Sequence, residues 1–146
     1  MDYPTHLGVL HSGLQGKWFY GYRARNESAV ALRRGHVVKF DEDSGNASAT
    51  TLTSTSPNIW KAMGLASTRI TAALHGDIMA AGYTSGFVTG TVAAGDWLRP
   101  STTHTGVMVS DNTTATAGHG KCLAMADEAS SGSRALIRVL VFPWRI

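Results

Sequence analysis

A pattern that occurs twice, 60 residues apart, most limits how this chain can fold. The first copy is Arg34-Gly35-His36-Val37-Val38, followed by Lys61-Ala62-Met63-Gly64-Leu65-Ala66, and the second is Ala94-Gly95-Asp96-Trp97-Leu98, followed by Lys121-Cys122-Leu123-Ala124-Met125-Ala126. In each copy the glycine and the lysine are 26 residues apart, and a Ser/Thr-rich stretch separates two short apolar segments. Since neither copy can bury an apolar face alone, we expect two related units, about 34–82 and 94–142, that share one core. Chance similarity in a sequence of low diversity is the alternative.

Short apolar segments between clusters of turn residues predict an all-β fold. β-branched and aromatic residues concentrate in four places: 37–40, 87–89, 107–109 and 136–142. The alanine-rich segment 61–81 has some helical spacing, but Gly64, Gly76 and its β-branched residues favour strand, turn, strand. We therefore predict a small β-barrel or sandwich of two pseudo-repeated halves over residues 31–146.

Residues 1–30 differ in texture from the rest and predict an extended N-terminal arm. The arm carries an aromatic cluster that must be buried, either on the chain's own body or on a partner. Aromatic residues and arginine dominate interface energetics, so we select as candidate contact residues Trp18, Phe19, Tyr20, Tyr22, Arg23, Arg25 and, near the other end of the sequence, Trp144. For Trp60, Trp97 and Leu98 we expect the core instead.

Positive charge is unevenly distributed. The chain has 13 Lys and Arg against 10 Asp and Glu, and six of the cations lie between Lys17 and Lys39, where Glu27 is the only acid. Such a stretch suits phosphates or an acidic protein surface, whereas a solvated strand edge is the structural alternative. The aromatic and basic segment 17–25 also suits single-stranded nucleic acid, but no second basic stripe supports that interpretation.

Motifs for catalysis, cofactors and metals are missing or incomplete. The segment 118–122 lacks the first glycine of a phosphate loop and has Cys122 where Ser or Thr is needed. No two of the six histidines have the spacing of metal ligands on one helix. We interpret Cys122 as a small buried hydrophobic residue. We expect no enzyme, no cofactor and no metal. We also expect no secretory signal and no membrane span, because no apolar run approaches about 20 residues.

The second copy and its continuation resemble a known family. The motifs are Val92-Ala93-Ala94-Gly95-Asp96-Trp97-Leu98-Arg99-Pro100-Ser101-Thr102, then Gly106-Val107-Met108-Val109, then Gly120-Lys121-Cys122-Leu123-Ala124-Met125-Ala126, then Arg134-Ala135-Leu136-Ile137-Arg138-Val139-Leu140-Val141. Their order is similar to that in the small capsid-cement or head-decoration proteins of tailed bacteriophages, over roughly residues 33–142. Ala124 stands in place of the family's usual glycine, and Trp97 is bulkier than the family's norm.

The resemblance implies a function. Proteins of this family are β-rich, often trimeric and without catalytic residues, and they bind the outer surface of the phage head, where they hold neighbouring major capsid protein subunits together. For this chain it implies a virion protein made in the host cytoplasm, with the major capsid protein and its own copies as partners. A tail or baseplate component and a small barrel that binds single-stranded nucleic acid remain the alternatives.

Overall fold

A computed structural model of the chain describes residues 8–11, 18–40, 48–51, 62–111 and 122–142. The described residues form strands, turns and bends, and they contain no helix that is long and apolar enough to cross a membrane. The prediction of an all-β fold with a barrel is confirmed. The predicted strand, turn, strand in 61–81 is also found, since Ala62–Ala66 and His75–Val88 are both strands.

The described residues form ten strands. In chain order they are β1 (Gly8–His11), β2 (Trp18–Asn26), β3 (Val37–Phe40), β4 (Ser48–Thr51), β5 (Ala62–Ala66), β6 (His75–Val88), β7 (Trp97–Pro100), β8 (Met108–Ser110), β9 (Ala124–Ala126) and β10 (Ala135–Val141). Their pairings close into two five-stranded rings, and β6 belongs to both. The first ring runs β2-β4-β3-β5-β6, and the second, a barrel, runs β6-β10-β9-β7-β8.

The long strand β6 can serve both rings because its two halves have different partners. Residues 75–82 pair with β2, and 82–88 pair with β10. Each ring has four antiparallel pairs and one parallel pair, which is Arg25 with Ser48 in β2–β4 and Val88 with Met108 in β6–β8. The strands β2, β4, β3, β5 and β6 of the first ring therefore pair in the same order as β6, β8, β7, β9 and β10 of the second.

Two hydrophobic clusters form the core. The smaller cluster includes Ala24, Val38 and Ile78 of the first ring, and the larger one fills the barrel with residues such as Val88, Leu98 and Val139. Strands β3 and β5 contribute to both clusters, because successive side chains of a strand point to opposite faces. Val37 thus belongs to the larger cluster and Val38 to the smaller.

Equivalent hydrogen bonds recur 60 residues apart in the described parts of the chain. Leu32 and Ile70 form an isolated bridge, and so do Val92 and Ser130. The Gly35 N–H donates to Ala66 O at 2.8 Å, and the Gly95 N–H donates to Ala126 O at the same distance. Both glycines have a positive φ, +88° and +92°. The unit limits 34–82 and 94–142 stay predictions, and β6 extends past the first of them.

Much of the predicted N-terminal arm is paired with the rest of the chain. Residues 18–26 form β2, which pairs with β6 from Phe19 with Gly82 to Arg25 with His75. Residues 8–11 form β1, which is antiparallel to β2. Residues 1–7 and 12–17 lie outside the described residues, and the division at residue 30 stays a prediction.

Candidate functional site

The arginines of the described residues fall into two groups. Four of the eight lie within 4.0 Å of a carboxylate: Arg23 with Asp77, Arg25 with Glu27, Arg99 with Asp111, and Arg138 with Asp127 and Glu128. The other four have no ion pair to any described acid, and we call them the arginine cluster: Arg33, Arg34, Arg69 and Arg134. The basic stretch of the sequence is therefore divided, because its β2 arginines are neutralised and those of the β2–β3 turn are not.

The arginine cluster is built around the turn Arg33–His36. Gly35 lies so close to the barrel that a Cβ atom there would be 2.5 Å from Leu136 Cδ1 and 3.2 Å from the Phe87 nitrogen. Its φ of +88° is a conformation that glycine adopts without steric cost. The Gly35 carbonyl accepts a hydrogen bond from the Phe87 N–H at 3.0 Å. Because the turn is held against β6, Arg33 and Arg34 are presented at a fixed place on the barrel.

His36 and Phe87 join the turn to Arg134. The Arg134 guanidinium lies 4.5 Å from the centroid of the Phe87 ring and 2.6 Å from His36 Nε2. His36 Nδ1 is 3.2 Å from the Arg33 N–H, and its ring centroid is 5.4 Å from that of Phe87. Burial, followed by the nearby positive charges of Arg134 and Arg33, lowers the pKa of His36 to about 4. His36 is therefore neutral near pH 7, and the arginines supply the cluster's charge.

Three of the four arginines border an open depression. It has a volume of about 510 Å³ and is lined by Val30, Ala31, Arg33, Arg34 and Arg69. Arg33 and Arg69 come together because the bridge between Leu32 and Ile70 lies beside them in sequence. The Val30 residue is 65% exposed. The depression thus combines guanidinium groups with aliphatic side chains.

A second outer surface is apolar and crosses the barrel. Register places Tyr83 opposite Leu140, Leu140 opposite Met125, and Met125 opposite Trp97, which makes one row on the outer face of β6, β10, β9 and β7. Adjacent strands are about 4.8 Å apart, so this apolar row is about 14 Å long. The Phe142 ring packs on Trp97 with centroids 5.5 Å apart. Tyr83 is 49% exposed and the other three are half-buried.

The apolar row and the arginine cluster are neighbours. Phe87 and Leu136, which form the second pair along the same face from Tyr83 and Leu140, contact the cluster through Arg134 and Gly35. Between these two apolar pairs lie Arg138 and Ser85, which are also opposite each other. Arg34 donates to Ser85 Oγ at 3.2 Å. One face of the barrel therefore offers both positive charge and apolar contact area.

The candidate contact residues from the sequence that the structure describes lie on β2, which is not a strand of this surface. Trp18, Phe19 and Tyr20 lie in β2, and Trp144 lies outside the described residues. Arg23 and Arg25 are exposed on β2, but each is paired with a carboxylate. Of the seven residues, six lie on β2, and nothing in the described structure brings them to the arginine cluster.

Tyr22 packs against the smaller hydrophobic cluster of its own chain. Burial raises the pKa of its phenol well above the usual value for tyrosine. For this one residue the structure supports the alternative that the sequence left open, namely burial on the chain's own body.

Two residues of the arginine cluster escaped sequence reasoning. Arg69 and Arg134 are isolated cations, each far in sequence from the basic stretch between Lys17 and Lys39. Only the pairing of Leu32 with Ile70 and of β6 with β10 brings them to the turn. The 60-residue repeat gives no signal either, since the positions equivalent to Arg33 and Arg34 are Ala93 and Ala94.

Other reactive groups give little chemistry. Cys122 is buried, and burial together with the negative charge of Asp111 raises the pKa of its thiol to about 11, so it is protonated near pH 7. Within the described ranges no three His, Cys, Asp or Glu side chains gather as a metal site would require. The segment 118–121 lies outside those ranges.

Comparison with solved structures shows a likeness in fold. The N base of the head fibre protein gp8.5 of bacteriophage phi29, known from a crystal structure, is similar to this chain with a TM-score of 0.53. The match covers 86% of this chain and 96% of that one, at 12% sequence identity, and therefore shows a shared fold. No family model and no curated protein matches the sequence.

Proposed function

We propose that this chain is a non-enzymatic structural protein of a tailed-phage virion, bound to the outer surface of the head. There it contacts the major capsid protein and holds neighbouring subunits together. The observation that carries the proposal is the fold shared, over nearly the whole of the other chain, with the base of a phage head fibre protein. The motifs of residues 92–141 support it, because they resemble phage head proteins in sequence order.

The two outer surfaces suit such a role. A structural protein that acts in many copies needs only modest contacts per copy, because multivalency adds their effects. Charge provides orientation and association rate, and apolar area provides affinity. The arginine cluster supplies charge for the contact with the head, and the apolar row supplies apolar area for contact between copies of the chain, on adjoining parts of one face.

The proposal is tested by sedimenting a lysate of phage-producing cells in a density gradient and measuring the chain in each fraction by mass spectrometry. Its presence on both DNA-filled heads and tail-less heads is the expected result. Presence on tails alone would replace the head assignment with a tail or baseplate component. Recovery only at the top of the gradient, free of particles, would overturn a virion role.

Cementing is a separate part of the proposal and needs its own measurement. Heads with and without the chain are heated, and release of DNA is followed with an intercalating dye. We expect heads that carry the chain to release DNA at a higher temperature, because each bound copy stabilises the assembled state through its binding free energy. Identical release temperatures with saturated binding would leave a head protein that does not cement.

We further propose that copies of the chain associate through the apolar row, as a trimer. The arginine cluster is unsuited to self-contact, because like charges repel when two copies face each other. Next to the row, Arg138 is already paired with Asp127 and Glu128, so this arginine adds no uncompensated positive charge there. The proposed occupant of the row is therefore a second copy of this chain.

Sedimentation equilibrium tests this association. Replacing Tyr83 and Leu140, two members of the apolar row, by Thr removes apolar surface from the outer face and keeps strand propensity. Wild type is expected as a trimer and the double variant as a folded monomer. Leu74→Thr is the matched control, since Leu74 is 58% exposed but lies in the turn before β6. A monomeric wild-type chain, or a trimeric double variant, would contradict the proposal.

A further inference from the structure

The arginine cluster carries an inference of its own. We propose that it is a binding site for an acidic protein segment whose carboxylates alternate with an aliphatic side chain. The inference deepens the proposed function, because it names the chemistry of the partner that the head surface would present. It rests on the geometry of Arg33, Arg34, Arg69 and Arg134.

The arginine cluster differs from the other described arginines in its charge pairing. Elsewhere in the described structure every arginine has a carboxylate within 4.0 Å, as in the 2.7 Å pair of Arg25 with Glu27. In the cluster four positive charges share one region without a described acid. Gathering like charges is unfavourable for folding alone, and it is favourable when an anion binds between them.

Two of these arginines are held in place without being neutralised. Arg34 donates to the uncharged Ser85 hydroxyl, and Arg134 lies over the Phe87 ring and against His36. These contacts restrict the side chains and leave their charge available. A restricted arginine loses less conformational entropy on binding, and its planar group matches a carboxylate through two parallel hydrogen bonds.

The lining of the depression favours carboxylates over nucleic-acid phosphates as the bound groups. Proteins that bind single strands combine cations with open aromatic faces on which bases stack. Among the described residues, the depression at the cluster is lined by Val30, Ala31 and three arginines, and none of these side chains is aromatic. Phe87, the aromatic residue beside it, already has Arg134 over its ring. Aliphatic side chains between guanidinium groups fit an acidic peptide better than they fit a base.

The test compares two variants that remove positive charge from different places. Arg33→Gln combined with Arg69→Gln removes two charges from the depression, and both side chains have no described hydrogen bond to lose. Arg23→Gln combined with Arg25→Gln is the matched control on β2. Circular dichroism and the urea midpoint establish that each variant is folded before binding is measured.

The probes are a fluorescein-labelled peptide of alternating glutamate and leucine, the same peptide with glutamine for glutamate, an oligothymidine and purified phage heads. We expect the glutamate peptide to bind wild type and the β2 variant alike, and to bind the cluster variant roughly tenfold more weakly, as for the loss of two exposed charge pairs. Binding should weaken with salt. The glutamine peptide should not bind.

Three results of the peptide and oligothymidine assays would overturn the inference. These are equal binding of the glutamate peptide by the cluster variant, an equal loss in the β2 variant, and tighter cluster-dependent binding of oligothymidine. The heads separate this inference from the proposed function. Heads that bind both variants equally contradict the inference and leave the virion role standing. Cluster-dependent binding of the peptide without binding to heads supports the peptide site and contradicts the virion role.

Discussion

At the scale of single residues, His36 makes the stability of the fold depend on pH. A neutral imidazole has one acceptor nitrogen, so it accepts from either the Arg33 N–H or the Arg134 guanidinium, and a protonated ring accepts from neither. Its pKa is about 4 in the folded chain, against about 6.5 for an unperturbed histidine. Between these two values the unfolded chain binds a proton and the folded chain does not, so stability falls as the pH falls.

The expected loss is about 1–2 kcal/mol between pH 7 and pH 4, since His36 is only half-buried and solvent screens part of the effect. Urea unfolding of wild type and His36→Asn at several pH values measures it. The asparagine carbonyl can still accept from the Arg33 N–H but does not titrate. As the pH falls from 7 to 4, the unfolding free energy of wild type should decrease more than that of His36→Asn. A difference that does not change with pH would contradict the assignment.

Gly35 and Gly95 provide a matched pair for a second residue-scale prediction. Both have a positive φ, so Gly→Ala costs about 1–2 kcal/mol at either position from backbone strain. At Gly95 an added Cβ meets nothing within 4 Å, whereas at Gly35 it meets Leu136 and the β6 backbone. We expect Gly35→Ala to be more destabilising than Gly95→Ala by about 1–3 kcal/mol, which is the usual cost of overpacking. Equal urea midpoints would show that the turn does not press on the barrel.

Residue burial also shows where the sequence was informative. Trp97 and Leu98 were both expected in the core, and the structure buries Leu98 completely while Trp97 lies half-buried in the apolar row. Adjacent residues of a strand face opposite sides, so only one of the two can enter the barrel. Both side chains are large and apolar, but the register of β7 points Leu98 into the barrel and Trp97 to its outer face. Trp60 lies outside the described residues.

At the scale of the strand, β2 ends at a buried asparagine that connects it to the turn before β6. The Asn26 side-chain nitrogen donates to the Val30 and Ile70 carbonyls, both at 2.9 Å, and its Oδ1 accepts from the Ser28 N–H at 2.8 Å. Its main-chain atoms bond to Leu74 and Ala73. One residue thus satisfies the polar groups where several segments of the first ring meet.

Asn26→Asp should therefore destabilise the fold strongly. The substitution replaces a group that donates two hydrogen bonds with a carboxylate oxygen that faces two carbonyls, in a place with no solvent access. We expect a loss of about 3–5 kcal/mol at neutral pH, as when a buried charge has no partner. Ser28→Ala leaves the asparagine contacts in place and is the milder control. Chemical denaturation of both variants gives the comparison, and similar midpoints would argue against this role.

The sequence predicts where strands lie better than it predicts which strands pair. β-branched and aromatic runs located β3, the end of β6, β8 and β10, because propensity and turn residues act locally. The parallel closures of β2 with β4 and β6 with β8 join segments that no local pattern connects. The arginine cluster depends on such long-range pairings, which is why the sequence pointed to β2 for contact residues.

At the scale of the whole molecule, the shared strand β6 makes the two rings interdependent. Its first half packs Ile78 into the smaller hydrophobic cluster, and its second half packs Val88 into the larger one. β3 and β5 also bury one face in each cluster. If the first ring opened alone, half of β6 and one face of these strands would lose their partners. The rings should therefore unfold as one unit, as expected for a single small domain.

Ile78→Ala and Val88→Ala test this coupling from opposite sides. Both remove buried methyl groups, and Ile78→Ala is expected to cost about 2–5 kcal/mol. Hydrogen exchange at intermediate urea concentrations, read by mass spectrometry, follows peptides from β2–β5 and from β7–β10 separately. In both variants we expect the two sets of peptides to lose protection at the same, lowered midpoint. If Ile78→Ala exposed only the first ring while β7–β10 kept the wild-type midpoint, the barrel would be an independent unit and the shared strand would not couple them.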